Sequence, residues 1–159
     1  MMFFVLSLLI AIIYFTYAII KIKKIPESLS ATYYELNDKK WAFQLALTSV
    51  VATLLPEWLN VSNNNTQWLA FLSCAGLLLV AASPHFKENL QSKIHYTSAI
   101  VCGTCAVLWQ ILNGMWEIPF IFAVISLILT LTFKKWMWWL ELGIMGSLFT
   151  SLFKQLQTL

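Results

Sequence analysis

Six apolar segments, separated by short polar connections, cover most of this chain. A helix needs about 20 residues, with a range near 17–25, to cross the ~30 Å hydrocarbon core of a bilayer. By that criterion the predicted spans lie at about residues 2–20, 38–56, 67–83, 96–113, 117–133 and 136–153. The pattern therefore predicts an all-α integral membrane bundle of about six helices, with residues 1–159 forming a single transmembrane domain.

The composition favours lipid as the surroundings of this bundle. Hydrophobic residues make up 60% of the chain and charged residues 11%, against roughly 45–50% and about 25% in soluble domains. The lipid bilayer is thus the predicted partner. The net charge of +3 comes from lysines that lie beside apolar runs. A nucleic-acid-binding protein would instead cluster basic residues on one face, so we expect no nucleic-acid partner.

The positions of the lysines predict the topology. Nine of the ten lysines lie in alternate connections: Lys21, Lys23, Lys24, Lys39 and Lys40 between spans one and two, Lys87 and Lys93 between three and four, and Lys134 and Lys135 between five and six. The positive-inside rule makes these connections cytoplasmic, and both termini then lie on the other side. A chain rich in lysine, asparagine and isoleucine without arginine is typical of an AT-rich bacterial or phage genome, so we expect a multi-pass protein of a bacterial inner membrane.

The stretch PESLSATYYELNDKK, residues 26–40, is the densest polar segment. Thr32 and Glu35 have capping-box spacing, which predicts a helix that starts at about Tyr33 and continues to about Leu55. The third connection carries Ser83-Pro84, an N-cap followed by proline, which predicts a short interfacial helix. His95 would then open span four.

Both connections are predicted to be cytoplasmic, so their polar side chains would gather at one membrane face. These side chains are Ser28, Ser30, Tyr33, Tyr34, Glu35, Asp38, His85 and His95. We expect a polar pocket at this face. His85 and His95 with Asp38 or Glu35 could ligate a metal, because imidazole and carboxylate suit zinc and related ions. HxxxH spacing does not occur and the chain has only two histidines, so no cofactor is our first expectation and a divalent metal such as zinc is the alternative.

Two further features lie within the predicted spans. Span four carries a helical stripe made up of His95, Ser98, Cys102, Cys105, Trp109 and Asn113. This stripe is either a polar pathway or a face packed against other helices. Glu141 is the one acid predicted well inside a span. An intramembrane carboxylate indicates function by default, although it could instead pair with Lys134 or Lys135. The opposite face, with Gly143 and Gly146, is typical of small-residue helix packing.

The segments IPESLSATYYEL, AASPHF and IHYTSA resemble those of uncharacterised small polytopic membrane proteins from Bacteroidetes and their phages. This resemblance covers most of residues 1–113 and implies no particular activity. A remoter resemblance is to the superfamily of alkaline ceramidases and progestin-receptor-like proteins, which are multi-span metal hydrolases. That resemblance implies roles for Ser30 or Ser83, Asp38, His85 and His95, but the superfamily uses three histidines and this chain has two.

Two function classes follow, and whether the protein is an enzyme stays open. The preferred one is a non-enzymatic channel, carrier or membrane-binding module whose pocket or pathway uses Ser30, Tyr33, Tyr34, Glu35, Asp38, Ser98, Cys102 and Glu141. A pore would require a homo-oligomer, because one chain of this length makes a narrow bundle. The alternative is a metal-dependent intramembrane lipid hydrolase, in which His85, His95 and Asp38 hold the metal and a bound water is the nucleophile.

Overall fold

The protein is described by a computed structural model that covers residues 1–86 and 88–158. Lys87 and Leu159 lie outside the described residues. The predicted place of Lys87 in a lysine-rich connection therefore also lies outside them. The described residues form seven α-helices and no strand, which confirms the all-α class. The helices are α1 Met2–Ile22, α2 Ala31–Glu35, α3 Trp41–Val61, α4 Gln67–Ala82, α5 Glu88–Leu112, α6 Glu117–Phe133 and α7 Trp136–Leu156.

Four segments of the described chain are long and apolar enough to cross a bilayer. They are Met2–Ile22, Asn37–Val61, Gln67–His85 and Leu90–Leu112, and Glu117–Phe133 is a shorter apolar helix. Outward-facing apolar side chains are abundant on these helices, as they are on the surface of a bundle that faces lipid. The chain is therefore a helical membrane protein, and the six-span count stays a prediction.

Five of the long helices form a ring. Neighbouring pairs in this ring are α1–α3, α3–α4, α4–α5 and α5–α7. The ring closes where α7 meets α1, through Phe4 and Phe149 with ring centroids 5.7 Å apart and through Phe15 and Trp138 at 6.2 Å. Helix α6 lies outside the ring and packs chiefly on α7.

Contacts between connections define the two ends of the bundle. At one end, which we call the lysine-rich end, the segment after α1 meets the starts of α3 and α7, and the end of α4 meets the start of α5. The contacts at this end are the ion pairs Lys24–Glu35 and Lys135–Glu27, the cation–π contact Lys40–Tyr33, the Ser83–His95 hydrogen bond, and a hydrogen bond between Gln44 of α3 and His85 after α4. At the opposite end, Asn63 donates to Asn113 at 3.1 Å.

The predicted helix from Tyr33 to Leu55 is wrong. Helix α2 ends at Glu35, and Asn37 has a φ of 47°, a left-handed conformation that interrupts a right-handed helix. The Thr32 hydroxyl does not cap a helix but donates to the Leu29 carbonyl at 2.5 Å. Helix α3 starts afresh at Trp41.

The third connection also differs from its prediction. A 3-10 turn occupies Ser83–His85, and α5 then runs without interruption from Glu88 to Leu112. His95 therefore lies about two turns inside α5 and does not open a separate helix. A hydrogen bond from its ring to Ser83 at 3.0 Å ties α5 to the end of α4.

Glycines set the closest helix approaches. A Cβ on Gly76 of α4 would lie 2.7 Å from the Ser98 carbonyl oxygen of α5, and one on Gly146 of α7 would lie 2.6 Å from Phe122 Cε1 of α6. A Cβ on Gly143 would come closer still to Ser126 Oγ of α6. The small-residue packing face predicted for α7 is confirmed.

A candidate binding cavity and its polar mouth

The ring of five helices encloses a cavity of about 160 Å³. On α3 its lining extends from Phe43 to Trp58, which are fifteen residues apart, or ~22 Å of helix at 1.5 Å per residue. On α5 the lining extends from His95 to Ala106. The cavity is thus narrow and runs from the lysine-rich end toward the opposite end.

The wall of this cavity is mostly apolar. Each of the five helices contributes aliphatic or aromatic side chains, for example Ala11, Val50, Leu77, Ala99 and Leu148. An engineered apolar cavity of about 150 Å³ stays dry and binds a benzene-sized molecule. The interior of this bundle therefore suits an apolar occupant of narrow cross-section.

Ser30, His95 and Glu141 lie at the lysine-rich end of the lining, and we call them the polar mouth. Glu141 Oε2 accepts a hydrogen bond from the Leu29 backbone N–H at 2.6 Å. This bond links α7 to the segment between α1 and α2, so the carboxylate helps to hold Leu29 and Ser30 over the cavity. Glu141 has no ion pair with Lys134 or Lys135 in the described part of the chain, and Lys135 pairs with Glu27.

The hydrogen bonds of Ser83 define which His95 nitrogen is free. The Ser83 hydroxyl donates to the Val80 carbonyl at 2.8 Å and also lies 3.0 Å from His95 Nδ1. A hydroxyl has one proton, so both bonds are made when His95 Nδ1–H donates to Ser83. The Nε2 lone pair of His95 is then left as an acceptor. The Ser83 proton points away from His95, which is not the arrangement of a serine activated by a histidine base.

A second, more exposed pocket of about 480 Å³ lies at the same end. Its lining consists of Tyr33, Tyr34, Asn37, Asp38, Lys40, Pro84 and Gln91. Lys40 Nζ lies 5.8 Å from the centroid of the Tyr33 ring, within the range of a cation–π contact. The predicted polar cluster is therefore divided, with Tyr33, Tyr34 and Asp38 in this surface pocket and Ser30 and His95 at the mouth of the cavity.

The other predicted site residues occupy different surroundings. Cys102 lines the cavity, where its carbonyl accepts from Ser73 Oγ at 2.9 Å. Ser98 is buried between α4 and α5 and is not in the lining. Glu35 pairs with Lys24 at 3.3 Å and lines neither pocket.

The three predicted metal ligands are not gathered at one point. His85 Nε2 accepts from Gln44 Nε2 at 2.6 Å, His95 lines the cavity, and Asp38 lines the surface pocket. Within residues 1–86 and 88–158, no group of three or more histidine, cysteine or acidic side chains could hold a metal ion. A metal at His85, His95 and Asp38 stays a prediction.

Two tryptophans pack together at the deep end of the cavity, which we define by Leu54 and Trp58. The Trp58 and Trp109 rings meet edge to face, with centroids 5.5 Å apart. Trp109 Nε1 donates to Ser62 Oγ at 2.7 Å, and Ser62 Oγ in turn donates to the Trp58 carbonyl at 2.6 Å. Trp58 Nε1 is buried and has no hydrogen-bond partner among the described residues.

Several of these groups were not predicted from the sequence. Gln110 is fully buried and joins α5 to α7, because its Oε1 accepts from Ser151 at 2.8 Å and its Nε2 donates to Ser147 at 3.3 Å. A glutamine inside an apolar run was a signal that could have indicated it. The Leu29 amide and the Trp58 indole carried no such signal, since their roles depend on the packing of distant segments.

Comparisons with known proteins do not assign this chain to a family. No family model, curated protein or solved structure matches it. Its resemblance to uncharacterised polytopic proteins of Bacteroidetes and their phages stays a prediction.

Proposed function

We propose that this protein is a multi-pass protein of a bacterial inner membrane that binds a narrow apolar molecule inside its helical bundle, as a non-enzymatic carrier or membrane-binding module. The apolar cavity of about 160 Å³ is the observation that carries this proposal. The ligand class is a molecule with one alkyl or isoprenoid chain or one small ring. A two-chain phospholipid is too wide for this cavity.

An apolar ligand fits this interior better than an ion. Moving an ion into an apolar, dry environment is costly unless partner groups replace its water, and Glu141 is the one acidic side chain among the described residues of the lining. The cavity is formed within a single chain, so binding needs no homo-oligomer. Only the channel alternative requires one. The positive-inside rule favours the cytoplasmic face for the polar mouth.

Filling the cavity tests the proposal. Ala46 of α3 is 8% exposed and lines the cavity, whereas Ala52 of the same helix is exposed. We expect Ala46→Phe to lower the specific binding of a labelled medium-chain n-alkane by about tenfold or more, because the added ring occupies the alkane's space. Ala52→Phe adds the same ring on the lipid-facing surface and leaves binding unchanged.

Binding is measured by equilibrium dialysis of protein in nanodiscs, with uptake by empty nanodiscs subtracted. Circular dichroism shows whether each variant is folded. Equal alkane binding by the wild type and a folded Ala46→Phe protein, or no binding by the wild type above empty nanodiscs, contradicts the proposal.

A further inference from the structure

We infer that the deep end of the cavity recognises a hydrogen-bond acceptor oxygen on the apolar ligand, and that the Trp58 Nε1–H group donates to it. The inference rests on the proposed function and narrows its ligand class. The ligand is then an apolar molecule that carries a ketone, aldehyde, ester or ether oxygen at the end that reaches the deep end of the cavity.

The burial of the Trp58 indole is the first observation. Trp58 is 1% exposed, and it lines the cavity. Its nitrogen has no partner in the described part of the chain, although nearly all buried polar groups in proteins have one. An indole nitrogen can only donate a hydrogen bond, so the missing partner must be an acceptor.

The neighbouring Trp109 shows what a satisfied indole looks like in this bundle. Trp109 Nε1 donates to Ser62, and the Ser62 hydroxyl donates onward to the Trp58 carbonyl. Every donor in this chain of bonds is used within the protein. Trp58 is in edge-to-face contact with Trp109, but the Trp58 N–H takes no part in these hydrogen bonds. Of the two tryptophans, Trp58 is the one that lines the cavity.

A water molecule is a poor partner for this group. A buried water needs two to four polar partners, and the lining residues next to Trp58 on its face of α3, Val51 and Leu54, are apolar. A ligand oxygen needs no other polar partner, because the rest of the ligand is apolar and packs against this wall.

A matched pair of ligands tests the inference. One is a medium-chain methyl ketone, and the other is its isostere in which a C=CH₂ group replaces C=O. We expect the ratio of bound ketone to bound alkene to be about fivefold higher for the wild type than for Trp58→Phe. The control is Trp139→Phe, because the Trp139 indole nitrogen is also buried without a partner in the described residues, but Trp139 does not line the cavity. Its ratio is expected to equal that of the wild type.

The outcomes separate this inference from the proposed function. Binding of both ligands with the same ratio in the wild type and Trp58→Phe overturns the inference alone, and so does an equal loss of preference in Trp139→Phe. Binding of neither ligand above the Ala46→Phe background overturns the proposed function and the inference with it.

A second measurement decides the matter if Trp58→Phe does not fold. In wild-type protein labelled with ¹⁵N at the indole nitrogens, the ketone must shift an indole N–H resonance that the alkene does not shift. The shift must persist in Trp139→Phe and disappear in Ala46→Phe. Absence of such a shift overturns the inference.

Discussion

Replacing Gly76 with alanine tests the closest helix contact in the bundle. The added Cβ would lie 2.7 Å from the Ser98 carbonyl oxygen, 3.0 Å from Cys102 N and 3.1 Å from Cys102 Cβ. Two of these three atoms belong to the α5 backbone, so relief requires α4 and α5 to separate. Separation would also displace Cys102, which lines the cavity.

The expected loss combines two opposing effects. Overpacking costs typically 1–3 kcal/mol, and the close approach to backbone atoms puts Gly76→Ala near the upper part of that range. Alanine gains about 0.8–1 kcal/mol over glycine in a helix interior. The net loss is about 1–2 kcal/mol, which corresponds to a lower Tm by roughly 2–8 °C in a chain of this size.

Thermal unfolding in detergent, followed by circular dichroism, measures this loss. Gly103→Ala is the matched control, because its Cβ would meet only Ile144 Cδ1 at 3.3 Å, the end of a flexible side chain. We expect Gly103→Ala to be neutral or stabilising. A Gly76→Ala protein with a Tm equal to or above that of the wild type would refute the close packing of α4 on α5.

Substitutions at two other positions give expected outcomes. Glu141→Ala removes the acceptor of the Leu29 N–H. Tryptic cleavage after Lys24 should then be roughly 5- to 150-fold faster, as a loss of ~1–3 kcal/mol implies. Glu141→Gln retains an acceptor oxygen and should change less, and no acceleration in either variant would contradict the role of this bond. Gln110→Leu leaves the Ser151 hydroxyl without its acceptor and should lower unfolding stability by ~0.6–1.7 kcal/mol in detergent denaturation. A stability equal to the wild type would mean that the buried link between α5 and α7 contributes nothing.

The helical class was predictable because its signal is local. Apolar runs long enough to span a bilayer predict helices, since only helices and closed barrels satisfy the backbone there. The gathering of polar groups at the lysine-rich end was also predictable from the alternation of connections. The break at Asn37 was not, because its positive φ depends on how the segment of Tyr33 packs against α3.

The candidate site was predictable only in part. Ser30, Cys102 and Glu141 do line one cavity, but spacing along the chain could not separate them from Tyr33 and Asp38, which lie in the surface pocket. That division depends on the fold of the segment between α1 and α3. The depth of the cavity depends on the meeting of five helices, which no local pattern encodes.

The closure of the ring by α1 and α7 has a consequence for biogenesis. The first and last long helices of the sequence are neighbours in space, so every intermediate that lacks α7 has an inner wall open to the bilayer. In lipid this exposure costs little, because acyl chains solvate apolar side chains as well as a protein core does. Packing of α7 against α1 and α5, which brings Glu141 to the Leu29 amide, is therefore the step that closes the interior of the bundle.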